Sequence, residues 1–206
     1  MLKLYGSPGS RSTRVAWALE EAGADYDFIL TDIKNNAQKA PAFLKLNPSG
    51  KLPVLVDGDL VLSESAAICT YIGDRFPASG LVPPLEQTVA RAHYFQWCFF
   101  AMSELEAPLW TMSKHSRLLP EEHRVAGIAP SCLYEFEKAA IVLMQHMEDR
   151  EYAIGAQFTA ADILLGGTLN WARGLNIALP GSLKAYAKRM NLRPALDRAK
   201  LRERQA

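Results

Sequence analysis

Few cysteines are present in the sequence, and their positions argue against disulfide bonds. The chain has three, at positions 69, 98 and 132, and no two of them form a C-x-x-C pair. An odd number of widely separated cysteines is typical of a protein from a reducing compartment. We therefore expect three free thiols that are packed in helices.

A surplus of charge of either sign is also absent. The 23 basic and 22 acidic side chains leave a formal net charge of +1. Proteins that bind a phosphate backbone or an anionic membrane usually carry a clear basic excess. The composition therefore predicts that the protein has no nucleic-acid partner.

Long hydrophobic runs are missing as well. No stretch reaches the roughly 18 apolar residues that a membrane-spanning helix needs. Residues 1–6 run into glycine and proline too early for the apolar region of a signal peptide. We therefore expect a cytoplasmic protein without a membrane partner.

The four histidines have no metal-ligand spacing, so we expect no metal site either.

The first thirty residues predict a β-α-β unit. Leu2 and Leu4 alternate with a lysine, as in a strand, and a Gly-Ser-Pro-Gly turn follows them. From Val15 the apolar residues recur at helical spacing up to Gly23, which is typical of a helix end. Residues 26–30 form a second strand, which should be parallel to the first because such crossovers are right-handed.

The next segment predicts a hairpin followed by a helix. Residues 52–62 hold two apolar runs around Asp57-Gly58, a pair typical of tight turns. From Ser63 the pattern changes to helical spacing, which ends before Pro77. A short apolar connector lies between the two units. The order β-α-β, connector, β-β-α is that of a thioredoxin-like domain, which we assign to residues 1–77.

The remaining chain predicts a second, all-helical domain at residues 86–206. Prolines and glycines between residues 77 and 84 mark the boundary. We expect Pro120 in a first helical turn, and we expect Pro108 and Pro130 to kink or interrupt their helices. The helical patterns cover roughly residues 86–113, 121–148, 160–173 and 182–203.

A capping box marks one helix start in this second half. In Phe158-Thr-Ala-Ala-Asp-Ile163, the Thr159 and Asp162 side chains can each bond the other residue's backbone amide. Phe158 could pack on Ile163 as a hydrophobic staple. We expect this motif to serve folding and not chemistry.

Two segments resemble the glutathione-binding half of the glutathione transferase family. They are Asn47-Pro-Ser-Gly-Lys-Leu-Pro-Val-Leu55 and Leu62-Ser-Glu-Ser-Ala-Ala-Ile68. The helix start at residues 158–163 and the tail at residues 183–195 are also similar to that family, so the resemblance spans nearly the whole chain. It implies a thioredoxin-like α/β domain followed by an all-α domain, with glutathione as co-substrate.

Four residues in these segments have roles that are expected both on physical grounds and from the resemblance. Pro53 cannot donate a ladder hydrogen bond and belongs at a strand start, where a cis bond would turn the Leu52 backbone outward to pair with an extended peptide. The resemblance implies that this peptide is the cysteinyl part of glutathione. Glu64 and Ser65 stand at a predicted helix start, which favours a carboxylate, and the family holds the γ-glutamyl end there. Alternatively, Ser63 or Ser65 only caps the helix.

Two lysines complete the glutathione site that the resemblance implies. Lys39 and Lys51 match positions where relatives place basic groups near the glycine carboxylate. Each could equally be an ordinary solvated lysine, because surface ion pairs are weak.

The turn after the first strand is where the family keeps the group that activates the thiol. A free thiol has a pKa of about 8.5, so the pKa must fall by about two units before the thiolate dominates at neutral pH. Ser10 stands where serine-type relatives carry their hydroxyl, and Ser12 is the alternate. Arg11 replaces the cysteine of cysteine-type bacterial relatives and could stabilise the thiolate by its charge. Either serine could instead be a helix cap.

The resemblance also implies an apolar site for an electrophilic substrate between the two domains. The candidates on the first long helix are Tyr94, Trp97, Cys98, Met102 and Leu105. Aromatic and methionine residues at helical spacing are equally typical of a buried core.

The predicted function is that of a glutathione S-transferase, in which the glutathione thiolate attacks an apolar electrophile, as in detoxification. The alternatives are a non-catalytic protein that binds glutathione or another protein on the same fold, or a glutathione-dependent isomerase or reductase. The absence of a cysteine in the turn counts against reduction. The resemblance further implies a homodimer.

Overall fold

The computed structural model describes residues 1–206, and its four strands form one mixed sheet of order β2-β1-β3-β4. β1 and β2 are parallel, whereas β3 pairs antiparallel with β1 and with β4. The predicted β-α-β unit and the hairpin are thereby confirmed. The strands are β1 (Leu2–Gly6), β2 (Tyr26–Leu30), β3 (Val54–Asp57) and β4 (Leu60–Ser63).

Three helices accompany this sheet: α1 (Ser12–Glu21), α2 (Pro41–Leu46) and α3 (Ser65–Arg75). The end of α1 agrees with the sequence prediction. Gly23 has a φ of 60°, and the Ala24 amide donates to the Leu19 carbonyl at 3.0 Å. This is the arrangement that glycine favours at a helix end, since it has no side chain to clash there.

The hairpin turn lies one residue later than the sequence predicts. Asp57 pairs with Leu60, so the two loop residues are Gly58 and Asp59, and not Asp57 and Gly58. Gly58 occupies the first loop position with a φ of 58°, a value that glycine adopts without strain. The Asp57 carboxylate instead accepts a hydrogen bond of 2.7 Å from the Tyr71 hydroxyl.

The first long helix of the second half is interrupted, as Pro108 predicts. α4 (Thr88–Phe100) continues as a π-helical turn over Ala101–Glu106 before α5 (Ala107–Ser113) begins. Proline has no amide hydrogen, and its ring clashes with the carbonyl four residues earlier, so the α-helical bonding pattern cannot continue through it.

Pro130 does not interrupt a helix, and that prediction is wrong. α6 (Ala129–His146) begins beside it, and Pro130 lies in the first turn, where no intrahelical amide bond is lost. The residues from Glu121 to His123 form a separate 3-10 turn after Pro120. The predicted helix over residues 121–148 is therefore shorter at its start.

Three further helices follow: α7 (Ala160–Gly174), α8 (Gly181–Asn191) and α9 (Pro194–Gln205). The start of α7 confirms the capping box, because the Thr159 amide donates to Asp162 Oδ2 at 2.9 Å. The single pattern predicted over residues 182–203 corresponds to both α8 and α9, with Pro194 in the first turn of α9.

The chain forms two compact units, and the last helix belongs to the first of them. The first unit comprises residues 1–84 and 192–206, and the second comprises residues 85–191. The second unit thus ends before α9, whereas the sequence pattern placed residues 86–206 together. No helix of the structure combines the length and the apolar character needed to cross a membrane.

Each unit has its own apolar core, which is the main source of its stability. In the first unit α1 and α3 cover the sheet, and their buried side chains include Val15, Leu19, Ile68 and Ile72. In the second unit the buried side chains include Leu105, Phe136, Leu143, Ile163 and Leu169. The three cysteines are free and buried, as expected, in α3, α4 and α6.

Candidate functional site

The predicted site residues of the first unit lie in segments that adjoin the strands at one edge of the sheet. Tyr5 pairs with Val54, and Val54 pairs with Ser63, so the end of β1, the start of β3 and the end of β4 are adjacent. The parallel pair of Gly6 and Leu30 adds the end of β2. The segments at this edge are residues 7–12, 31–39, 51–53 and 64–65.

The main chain just before β3 has an amide and a carbonyl that are free of main-chain hydrogen bonds. Pro53 is buried directly before β3, and the Leu52–Pro53 peptide bond is cis. Neither the Leu52 amide nor its carbonyl takes part in a main-chain hydrogen bond. An extended peptide could pair with these two groups as it does with the edge of a sheet.

Asn47 fixes the turn that leads into this backbone, and sequence reasoning did not single it out. The side chain is 7% exposed, and its amide donates to the Lys51 carbonyl at 2.8 Å. Its Oδ1 accepts from the Ser49 amide at 3.1 Å and from the Ser49 hydroxyl at 2.8 Å. Asparagine often bonds to its own turn in this way, so the Asn-Pro-Ser-Gly sequence was the available signal.

Lys39 lies directly against the same turn. Gly50 has a φ of 61°, and a side-chain carbon added to it would lie 2.9 Å from Lys39 Nζ. The ammonium group therefore covers the turn two residues before Leu52. The Lys51 side chain is exposed next to Leu52, so both predicted lysines lie at this edge of the sheet.

The start of α3 holds a buried hydroxyl without a partner. Ser65 is 2% exposed, and its Oγ has no hydrogen-bond partner. A buried polar group left without a partner costs about 1–3 kcal/mol. The amides of the first turn of α3 have no side-chain cap, so the capping alternative for Ser63 and Ser65 does not describe this structure.

Glu64 precedes this helix in an unusual backbone conformation. Its φ is 69° and its ψ is 112°, a region that residues with a side chain rarely adopt. Such strain costs about 1–3 kcal/mol and tends to occur at functional sites. The side chain of Glu64 is exposed at the edge of the sheet.

The turn after β1 contains Ser10 and Ser12, whose hydroxyls are bonded to each other. Ser10 Oγ donates to the Ser7 carbonyl at 2.7 Å, accepts from the Ser12 amide at 3.1 Å and lies 2.8 Å from Ser12 Oγ. Ser12 is fully buried, and its hydroxyl already accepts from the Ser7 amide at 3.3 Å and bonds to Ser10 Oγ, so it has no free position for a ligand. The half-buried Ser10 and Arg11 are the two candidates that remain accessible.

The candidates for the electrophile site lie mostly in the core of the second unit. Tyr94 is fully buried, and the Trp97 ring, 6% exposed, stacks on the His146 ring at 3.8 Å between centroids. Burial raises the pKa of Cys98 to about 12, so its thiol is protonated at neutral pH. Leu105 is also fully buried. Among these candidates, Met102 keeps a partly exposed side chain.

The capping box is built around a fully buried carboxylate. Asp162 accepts hydrogen bonds from the Ala153 amide at 2.8 Å, from the Thr159 amide at 2.9 Å and from the Tyr186 hydroxyl at 2.7 Å. Burial raises the pKa of Asp162, whereas these bonds act in the opposite direction. The residue thus joins α7, α8 and the loop before α7.

These features define a thioredoxin-like domain with an open strand start, a helix start that suits a carboxylate and two lysines, all at one edge of its sheet. Comparisons with known proteins agree. Residues 1–74 match the family model for the glutathione S-transferase N-terminal domain. The chain belongs to the glutathione S-transferase family, and its function is that of a glutathione-dependent transferase.

Similar proteins support this assignment along most of the chain. Glutathione S-transferase 3 of Zea mays is 34% identical over 168 residues, which cover 78% of this chain and 73% of that protein. Glutathione S-transferase GstA of Escherichia coli O157:H7 is 27% identical over 96% of both chains. A sphingomonad glutathione S-transferase, solved in complex with glutathione, is 30% identical with a TM-score of 0.85, and the match covers 99% of this chain and 100% of that one.

Proposed function

We propose that this protein binds glutathione at the edge where β1, β3 and β4 meet, and joins its sulfur to an apolar electrophile, in detoxification. The main support for this proposal is the Ser65 hydroxyl, which has no hydrogen-bond partner. A hydroxyl that is 2% exposed and makes no hydrogen bond, beside free helix amides, is suited to bind an anionic group. The γ-glutamyl carboxylate of glutathione is such a group.

Each part of glutathione has a partner in this proposal. Ser65 and the first turn of α3 bind the γ-glutamyl carboxylate, and Glu64 binds the ammonium group. The Leu52 backbone pairs with the cysteinyl residue, next to Pro53 in its cis peptide bond. Lys39 and Lys51 bind the glycine carboxylate, and the position of Lys39 Nζ against Gly50 supports this arrangement.

The thiol is activated by the turn before α1. Its proton passes to solvent, and the thiolate is stabilised by the Ser10 hydroxyl, by the charge of Arg11 and by the positive end of α1. To donate to sulfur, the Ser10 hydroxyl must leave the Ser7 carbonyl, to which it donates at 2.7 Å. The thiolate then forms a bond to the electrophilic carbon, and the leaving group departs with the electron pair of the broken bond.

The cellular setting and the assembly belong to the same proposal. A cytoplasmic location is supported by the three free cysteines, which are typical of a reducing compartment. A homodimer is supported by the resemblance to the family. The electrophile is apolar, and Met102 is the partly exposed residue among its suggested contacts.

Calorimetry of Ser65→Ala with glutathione tests the proposed role of the Ser65 hydroxyl. The loss of a hydrogen bond to a charged group should weaken binding by about ten- to a hundredfold. The melting temperature should stay the same or rise, because the variant removes a buried hydroxyl that bonds to nothing in the free protein.

The matched control is Ser182→Ala, which alters an exposed serine in the first turn of α8. It should leave the glutathione affinity unchanged. If Ser65→Ala lowered the melting temperature and kept the affinity, the assignment of this helix start to glutathione would be wrong.

A further inference from the structure

The second unit has a cavity of about 600 Å³ that the proposed chemistry does not use. Its walls come from residues 86–90 around the start of α4, from the end of α6 and from residues 153–155 in the loop before α7. All of these residues lie within one compact unit. The volume is in the range of about 300–1,000 Å³ that is usual for sites that bind small molecules.

Three side chains that can carry a positive charge line this cavity: Arg150, His146 and His93. Each of them is held by a hydrogen bond. Arg150 Nη1 donates to the His146 carbonyl at 2.6 Å. His146 Nε2 lies 2.9 Å from the Ala153 carbonyl oxygen, and His93 Nδ1 lies 3.1 Å from Gln96 Oε1. The cavity therefore has a cluster of nitrogen groups in fixed positions.

The contact with Ala153 fixes the tautomer of His146. A carbonyl oxygen can only accept a hydrogen bond, so Nε2 carries a hydrogen and donates it to Ala153. One face of the ring stacks on Trp97, with 3.8 Å between the ring centroids. Nδ1 is the ring nitrogen left for a ligand, and it becomes a donor when His146 is protonated.

Without a ligand, the surroundings of His146 disfavour its charged form. Burial lowers the pKa of His146, and the hydrogen bond to Ala153 offsets part of this shift. The charges of Arg150 and His93 lower the pKa further. Glu86 is the one acidic residue of the lining. A bound anion would favour the protonated ring, because an opposite charge within about 4–6 Å stabilises the charged form. The cavity thus suits an anion that binds together with a proton.

Apolar side chains complete the lining. Val89 is exposed at the start of α4, and Ile154 is half-buried in the loop before α7. We propose that this cavity binds a small organic anion, whose phosphate or carboxylate group contacts Arg150 and the two histidines and whose apolar part packs on Val89 and Ile154. The proposal goes beyond the glutathione chemistry and does not depend on it, since every residue of the cavity lies in the second unit.

The experiment titrates the full-length protein with phenyl phosphate, benzoate and inorganic phosphate at pH 6 and pH 8, at constant ionic strength. Calorimetry measures the affinities. We expect both aromatic anions to bind more tightly than inorganic phosphate, because they also bury apolar surface. Benzoate stays ionised at both pH values, so any change in its affinity reports on the protein. It should bind more tightly at pH 6, where His146 takes up a proton more readily.

Nuclear magnetic resonance of the labelled histidine rings locates the bound anion. The ring signals of His146 should shift during the titration, and its pKa should rise when the anion binds. His123 is exposed outside the cavity and is the internal control, so its signals should not shift. The relative affinities for phenyl phosphate and benzoate show which charged group the cavity prefers.

Two substitutions test the residues that the proposal names. Arg150→Gln removes the permanent charge and should weaken the binding of both aromatic anions by about ten- to a hundredfold. Arg117→Gln is the matched control, because Arg117 is exposed in the same unit outside the cavity, and it should leave the affinities unchanged. His146→Gln keeps an amide donor near Ala153, and it should remove most of the difference in benzoate affinity between pH 6 and pH 8.

Failure of all three anions to bind at pH 6 would overturn the proposal and leave Arg150 as a cap of α6. Binding that Arg150→Gln and Arg117→Gln weaken equally would also overturn it, since general surface charge would then account for the affinity. His93→Gln serves if Arg150→Gln or His146→Gln does not fold. It should weaken binding at pH 6, and an unchanged affinity would count against the proposal. Glutathione affinity should stay the same in all of these variants, so a failure of the proposed transferase site is detected separately.

Discussion

The Asn47 side-chain amide donates a hydrogen bond of 2.8 Å to the Lys51 carbonyl, across the turn that leads into Leu52. Asn47 Oδ1 bonds to Ser49 on the same turn. The backbone proposed to pair with glutathione is thus held by one buried side chain.

Asn47→Ala should therefore weaken glutathione binding as well as stability. The loss of these buried hydrogen bonds should cost about 1–3 kcal/mol of the free energy of unfolding. The affinity should fall because the turn before Leu52 is no longer fixed. Chemical denaturation and calorimetry measure the two effects. Asn191→Ala is the matched control, since Asn191 bonds to Asn170 at 2.8 Å in the second unit, and it should lower stability without lowering the affinity.

Ser10→Ala and Arg11→Ala should show how much each of the two residues contributes to thiol activation. The loss of a hydrogen bond to the thiolate should raise the pKa of the bound thiol and lower the rate by about ten- to a hundredfold. The rate is measured with an activated aryl halide or an isothiocyanate. Unchanged kinetics in Ser10→Ala, with a lower melting temperature, would leave Ser10 as a residue that only stabilises the start of α1.

Light scattering of the purified protein should give twice the chain mass of 22.8 kDa, as expected of a homodimer. The measurement should be repeated over a range of concentrations, because the dimer dissociates by mass action on dilution. A mass of one chain at all concentrations would exclude the dimer.

The elements of the first unit could be predicted because their apolar periods are clear. Alternation at Leu2 and Leu4, and helical spacing from Val15, correspond to β1 and α1. The hairpin turn was misplaced by one residue, since Asp57-Gly58 and Gly58-Asp59 both suit a tight turn and only the strand register decides between them. The packing partner of α9 could not be predicted, because a helical pattern does not specify which core it joins.

Candidate site residues could be named from the sequence, but the surroundings of their side chains could not. Pro53 and Ser65 were singled out by their motifs, and their contact with glutathione stays a prediction. The lack of a hydrogen-bond partner for Ser65 Oγ depends on every neighbour in space and has no signal in the sequence. Ser12 resembled Ser10 in sequence, and its full burial follows from the packing of α1. Tyr94 lies on a helical stripe that suits a core and a pocket equally, and burial decides for the core.

Acid should weaken the contact between Asp57 and the end of α3. The hydrogen bond from Tyr71 lowers the pKa of Asp57, and Arg75 lowers it further. A carboxylate with a lowered folded-state pKa adds stability above its unfolded pKa of about 4, and this stability is lost as the pH falls through the folded pKa. Asp57→Asn should therefore destabilise at pH 7 and make little difference in strong acid. Denaturation at both pH values checks this, and a pH-independent difference would contradict it.

The Asp162 carboxylate gives the strongest prediction for the second unit. Asp162→Ala leaves the Ala153 and Thr159 amides and the Tyr186 hydroxyl buried without their acceptor. At about 1 kcal/mol or more for each of these three unsatisfied groups, a loss of at least about 3 kcal/mol is expected, which is a large part of the stability of a typical protein. Tyr186→Phe removes one of these donors and should cost about 1 kcal/mol.

Asp149→Ala is the control for this series, because Asp149 is exposed in the same unit, and it should change the free energy of unfolding by less than about 0.5 kcal/mol. Burial raises the pKa of Asp162, so its contribution to stability is greatest below the unfolded pKa and declines as the pH rises through the folded value. The penalty of Asp162→Ala, measured by denaturation, should therefore shrink as the pH rises. A penalty that grows with pH would show that the hydrogen bonds to the carboxylate outweigh its burial.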